Sequence, residues 1–219
     1  MITYDMLRKV AAINTYITRA DESLSALGFT EHSFPHVCRV ADMAGQILSV
    51  LGYDEHTVEL AKIAAYLHDI GNLVNRVDHS QSGAVMAFRI LDHTDMEPGD
   101  IATIVTAIGN HDEGTGVPVN AVAAALILAD KSDVRRNRVR NKDVATFDIH
   151  DRVNYSVEQS RLLVLPEEKL ARLELAVDTQ FSSIMDYFEI FMKRMLLCRR
   201  AAERLGLKFQ LTINGQQLI

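Results

Sequence analysis

The sequence predicts a mainly α fold: an all-helical bundle over residues 1–155, followed by a small α+β appendage over 156–219. Two observations carry this expectation. Apolar residues recur at helical spacing in block after block up to about residue 130, and strand-like alternation enters only in the tail. With 219 residues, 48% of them hydrophobic and 24% charged, the chain has ample material for a core and is far from a disordered composition.

Residues 36–51 (HVCRVADMAGQILSVL) place apolar side chains at 37, 40, 44, 47, 48 and 51, and Pro35 suits the opening turn. TVELAKIAAYLHD (57–69) is the next helix, with Thr57 as its expected cap and Gly71 as its stop. DHSQSGAVMAFRILDH (78–93) opens on Asp78-x-x-Gln81, a variant of the capping box. DIATIVTAIGNHD (100–112) and NAVAAALILAD (120–130) complete the helical set. SRLLVL (160–165), a Pro-Glu-Glu-Lys turn and ARLELAVD (171–178) predict a hairpin, with Leu173, Leu175 and Val177 alternating. Residues 179–205 return to helical spacing with a Phe/Met stripe, expected to be core or a dimer contact. KFQLTI (208–213) is expected as a final strand, whose edge offers a homodimer a place to extend the sheet.

A net charge of -6 argues against nucleic-acid binding by the surface as a whole. Cys38 and Cys198 lie far apart and form no disulfide framework, which fits a reducing compartment. The N-terminus lacks the apolar segment of a signal peptide, and the longest apolar run (121–129) is less than half a membrane span. A cytoplasmic protein without a membrane partner is expected.

The ionisable residues fall in unexpected places. His36, His68, Asp69, His79, His111 and Asp130 each lie three, four or seven residues from apolar neighbours, on the buried stripe of a helix. An isolated buried carboxylate costs several kcal/mol, so buried charge is normally paired or bound to metal. Four histidines and two aspartates converging from separate helices share one explanation, metal ligation. Chain direction allows the convergence: His36 begins a helix, the next ends at His68-Asp69, His79 begins the third and His111 ends the fourth. Asp130 requires segment 113–119 to run back across the bundle, and seven extended residues reach about 23 Å. His93 stands fourteen residues from His79, about 21 Å along a helix, and cannot share the site. His32, His56 and His150 are expected to be solvated.

The ordered set H36…H68-D69…H79…H111…D130 resembles the HD-domain metal-dependent phosphohydrolases, named for the adjacent His-Asp pair, over roughly residues 30–135. His79 and His111 resemble the extra histidines of its two-metal branch, which includes HD-type diadenosine tetraphosphate hydrolases and HD-GYP cyclic-dinucleotide phosphodiesterases. The resemblance implies that His36, His68, Asp69 and Asp130 hold one ion, and that Asp69 bridges to a second completed by His79 and His111. It implies hydrolysis of a phosphoester or phosphoanhydride of a small molecule, a nucleotide among the candidates. A metal-bridging hydroxide would be the nucleophile, with His68 and Asp69 as catalytic residues. Two features depart from HD-GYP proteins: Asn72 stands where they carry lysine, and no Gly-Tyr-Pro occurs. Both argue against a cyclic dinucleotide as substrate.

Two divalent transition-metal ions are expected, iron or manganese first, because a mixed nitrogen and oxygen donor set disfavours magnesium and calcium. The basic run after Asp130 supplies Lys131, Arg135 and Arg136 as expected contacts to substrate phosphate. Asp112 and Glu113 are candidates to protonate the leaving group, with capping and solvation the favoured alternative for both. Two other readings remain open: a di-iron oxygenase of the same fold, and a non-catalytic nucleotide or metal sensor. The presence of all six ligand residues weighs against the second.

Overall fold

Helical spacing becomes helix throughout the first part of the computed structural model, which describes residues 2–219. The helices are α1 (Tyr4–Leu7), α2 (Ala11–Ala26), α3 (Phe34–Val50), α4 (Glu55–Leu67), α5 (His79–Leu91), α6 (Pro98–Gly109), α7 (Ala121–Ser132) and α8 (Ile149–Ser156). A four-stranded sheet follows, built from β1 (Val157–Leu165), β2 (Leu170–Val177), β3 (Lys208–Ile213) and β4 (Gln216–Gln217), with α9 (Ile184–Arg204) between β2 and β3. The fold is mainly α with a small C-terminal sheet, as expected.

Several helix starts differ from expectation, those of α4, α5 and α9 most instructively. Asp54, not Thr57, caps α4: its Oδ1 accepts the Thr57 backbone N–H at 2.8 Å, so the helix begins two residues earlier. Asp78 makes no capping bond because its backbone is left-handed (φ 56°). Gln81, expected to complete that box, instead donates to the Gly109 carbonyl at 2.7 Å and ties α5 to α6. α9 begins only at Ile184, where Ser183 and Asp186 form a reciprocal capping box.

β1 and β2 form the expected antiparallel hairpin, while β3 joins β2 in parallel after the α9 crossover. The outer edge of β3 is not left for a second copy along its whole length. The chain folds back on it through β4 and a 2.9 Å bond from Leu218 N–H to the Leu211 carbonyl.

α7 is apolar on every face up to Ala129 and is buried almost throughout, as such a helix must be. It packs against α3, α4, α6 and α9. The appendage therefore shares one continuous core with the bundle, to which Leu173, Phe191, Met195 and Leu211 contribute. Among the described residues no helix is long and apolar enough to cross a membrane. Cys198 sits in this core at 1% exposure, and burial pushes its thiol up to about 12. Iodoacetamide at pH 8 will therefore leave Cys198 unmodified in the folded protein and label it after denaturation, as read by mass spectrometry.

Candidate metal centre

The six ionisable residues gather at one end of the helices. His36 occupies the first turn of α3, His68 and Asp69 follow α4 directly, and His79 is the first residue of α5. His111 lies two residues past α6, and Asp130 is in the last turn of α7. All four histidines are buried to 4% exposure or less. α2 packs against the 3-10 turn Ile70–Leu73 that continues the His68-Asp69 segment.

Each imidazole is held from behind. Nδ1 donates to the Asp133 carboxylate in His36 (2.8 Å) and to the Ala65 carbonyl in His68 (2.7 Å). It donates to the Arg76 carbonyl in His79 (3.1 Å) and to the Ile108 carbonyl in His111 (2.6 Å). A carbonyl can only accept, so Nδ1 carries the proton and Nε2 presents its lone pair inward. This is the arrangement by which proteins orient metal-ligating histidines.

The inward atoms form two groups. His36 Nε2 lies 3.5 Å from Asp69 Oδ2 and 3.4 Å from Asp130 Oδ1, while His68 Nε2 lies 3.2 and 3.7 Å from the same two oxygens. The other oxygen of Asp69 faces the second group, 3.6 Å from His79 Nε2 and 4.0 Å from His111 Nε2. Donors bonded to a common ion at about 2.1 Å stand roughly 3–4.2 Å apart, and these separations fall in that range. Asn72 steadies the shared carboxylate, its amide donating to Asp69 Oδ1 at 3.0 Å.

A cation answers two problems in this arrangement. The Nε2 atoms of His36 and His68 are buried without a hydrogen-bond partner. Those of His79 and His111 point lone pairs at each other across 3.2 Å. Without a metal ion, a proton on the first pair can serve instead. Burial alone would lower the His68 pKa, but the nearby carboxylates of Asp69 and Asp130 push it up to about 10. His79 and His111 are pulled down, chiefly by burial. Metal uptake at pH 7 will thus release a proton, and affinity will fall as pH drops below the His68 value. Calorimetry in buffers of different ionisation enthalpy will detect the release, and heats independent of buffer would contradict it.

Asp133 completes the support of His36. Burial alone would raise its pKa, yet hydrogen bonds from His36 and Arg135 hold it well below the usual carboxylate range. Asp133→Asn will weaken metal binding about 10- to 100-fold in chelator competition while leaving the far-ultraviolet dichroism unchanged.

A cavity of about 380 Å³ opens on the centre, lined by Asp69, His79, His111 and Asp130. Of the three cations expected at phosphate, only Lys131 reaches it. Its ammonium lies 2.8 Å from Asp130 Oδ2 and 2.7 Å from Glu113 Oε2. Arg135 and Arg136 line a separate surface hollow instead. α7 ends at Ser132 and the chain turns away, so Arg135 clasps Asp133 (2.6 Å) and Arg136 stacks over Tyr155 (4.6 Å). Their place in the cavity wall is taken by Arg76, Arg138 and Arg194. Glu113 is held ionised between Lys131 and Arg194, well below the usual range despite its burial, and is unsuited to donate a proton.

His32 is not solvated as expected. It lines the cavity with its ring 5.5 Å from that of His36, and its pKa is pushed well down, first by burial. His150 also lines the cavity, whereas His56 pairs with Asp100 at 2.8 Å and His93 lies exposed beside Arg89. Arg194 carried a signal the sequence reading left unused: it falls three residues after Phe191, on a buried helical stripe.

The model of the HD domain family matches residues 34–154, a segment that contains all six residues of the centre. The chain belongs to the HD domain family. This HD domain protein is 26% identical over 200 residues to the uncharacterized protein MJ1020 of Methanocaldococcus jannaschii, covering 81% of this chain and 76% of the relative. A crystal structure of a predicted HD superfamily hydrolase from an uncultured Thermotogales bacterium is similar at a TM-score of 0.46 and 25% identity. That likeness covers 60% of this chain and 73% of the other.

Proposed function

We propose that this HD domain protein is a metal-dependent phosphohydrolase that cleaves a phosphoester or phosphoanhydride of a small molecule, a nucleotide being the first class to test. The observation that carries the reading is Asp69, whose two oxygens face separate pairs of inward-pointing imidazoles. In this reading His36, His68, Asp69 and Asp130 hold one divalent ion, and Asp69, His79 and His111 a second. Iron and manganese suit the donor set best. Bound there, such ions acidify water and draw charge from phosphoryl oxygens.

The chain's own groups do the rest. Nδ1–H bonds fix the four imidazoles, and Asn72 fixes the shared carboxylate. Lys131 offsets the outer oxygen of Asp130 and presents a donor to a phosphoryl oxygen entering the cavity. Phe29 and Phe191 supply apolar wall that limits water. A cavity of about 380 Å³ suits a small molecule. Residues 1–155 hold the metal ligands, and 156–219 form a smaller module packed on them. Two free cysteines, one of them buried, fit the cytoplasm.

The test is anaerobic purification with elemental analysis, followed by phosphate release across a nucleotide panel. Iron or manganese at up to two ions per chain, with metal-dependent phosphate release, is the expected result. Substrate-dependent oxygen consumption without phosphate release would overturn it in favour of a di-iron oxygenase. A metal-loaded protein that turns over nothing while binding a nucleotide would overturn it in favour of a sensor.

A further inference from the structure

Among the described residues, Arg194 is the one cation of the cavity wall that comes from the C-terminal module. Its Nε donates to Glu113 Oε1 at 2.9 Å, and its guanidinium lies 4.5 Å over the Phe191 ring. The other oxygen of Glu113 takes Lys131 at 2.7 Å, and Lys131 reaches Asp130 at 2.8 Å. An unbroken series of ion pairs therefore runs from a metal ligand to α9.

The two carboxylates and two cations of this series balance as they stand. Once Asp130 serves a metal ion, Lys131 and Arg194 share a single remaining carboxylate. Both line the cavity, so the charge that Asp130 no longer offsets faces its interior. The stacked, planar guanidinium is fixed in orientation, and among the described residues only its Nε is engaged by a protein acceptor, leaving both Nη groups for a ligand. Arg138 is differently placed, since two of its donors go to the backbone carbonyls of Glu31 and Asp133.

We infer that Arg194 and Lys131 act together as the phosphate-binding pair, so that α9 of the C-terminal module completes the substrate site. This rests on the phosphohydrolase reading above. Lys131 supplies a point charge beside the metal centre, and Arg194 supplies a fork of donors matched to a phosphoryl group. Glu113 is a positioning residue that holds the two cations at a fixed separation. An ion pair that only pinned α9 to the bundle would need neither a second cation on the same carboxylate nor a place on the cavity wall.

Inorganic phosphate is the probe, titrated calorimetrically into the metal-loaded, full-length wild type, Arg194→Met and Arg194→Lys, with metal content and Tm measured alongside. The wild type is expected to bind phosphate. Arg194→Met should weaken that binding about 10- to 100-fold with metal content unchanged. Arg194→Lys, which keeps the charge beside Glu113 but loses the fork, should lose less. In turnover, KM should rise more than kcat falls. Wild-type phosphate affinity in Arg194→Met, with Tm alone reduced, would reduce Arg194 to a structural pin and leave the hydrolase reading standing. Should Arg194→Met not fold, equal phosphate affinity in Arg194→Lys would overturn the inference. A metal-loaded wild type that binds no phosphate and releases none from any nucleotide would overturn both readings.

Discussion

Asp69→Ala protein is expected to purify without its metal ions and to hydrolyse nothing above the metal-free level. Asp69 is the residue whose two oxygens reach both groups of imidazoles, at 3.2 and 3.5 Å on one side and 3.6 and 4.0 Å on the other. Removing it leaves one group with Asp130 as its sole carboxylate and the other with none, although a bound divalent ion needs that charge. The fold itself should survive. Asn72 loses one acceptor but keeps the Asp69 carbonyl at 2.9 Å. Thermal unfolding separates the two effects: manganese will raise the wild-type Tm by linkage and leave that of Asp69→Ala unchanged. Retention of metal at wild-type stoichiometry in the variant would sink the bridging role.

Gly71→Ala is expected to cost about 3 kcal/mol or more, the upper end of what overpacking does. At this size that lowers Tm by roughly 6–12 °C. A methyl group there would stand 2.0 Å from the His79 carbonyl oxygen, 2.4 Å from Gly83 N and 2.7 Å from Ser82 Oγ. Two of these atoms are backbone at the start of α5, so no side-chain rotation relieves the clash. The helix must shift, and His79 shifts with it. Loss of metal should therefore accompany loss of stability. Gly99→Ala, which meets nothing within 4 Å, is the matched control and should leave both unchanged. A Gly71→Ala variant as stable as that control would refute the close approach.

Gly71 also shows where local reasoning stopped short. In the sequence it reads as a helix terminator after His68-Asp69, but α4 already ends at Leu67. Its actual constraint is a neighbour in space, the start of α5, about ten residues further along the chain. The same holds at Asp78: the capping pattern is present, yet its backbone is left-handed, it makes no capping bond, and Gln81 bonds to α6. The helices from α3 to α7 were legible because burial imposes a 3.6-residue period on them, whereas α2 (Ala11–Ala26) was not among the expected elements. α8, with eight mostly polar residues, is too short for such a period to stand out.

The sequence by itself determined that six ionisable side chains lie on buried stripes at helix ends, because helical periodicity is local and survives without knowledge of the partners. It also determined the order of helices that brings those ends together. Tertiary structure alone decided which oxygen of Asp69 faces which pair, and which nitrogen of each imidazole is held from behind. It also turned Arg135 and Arg136 outward while bringing Arg194 into the cavity from more than sixty residues past Asp130. Long cationic side chains take their direction from the carboxylates and rings packed around them. Those partners are set by how distant segments dock, which no local pattern encodes.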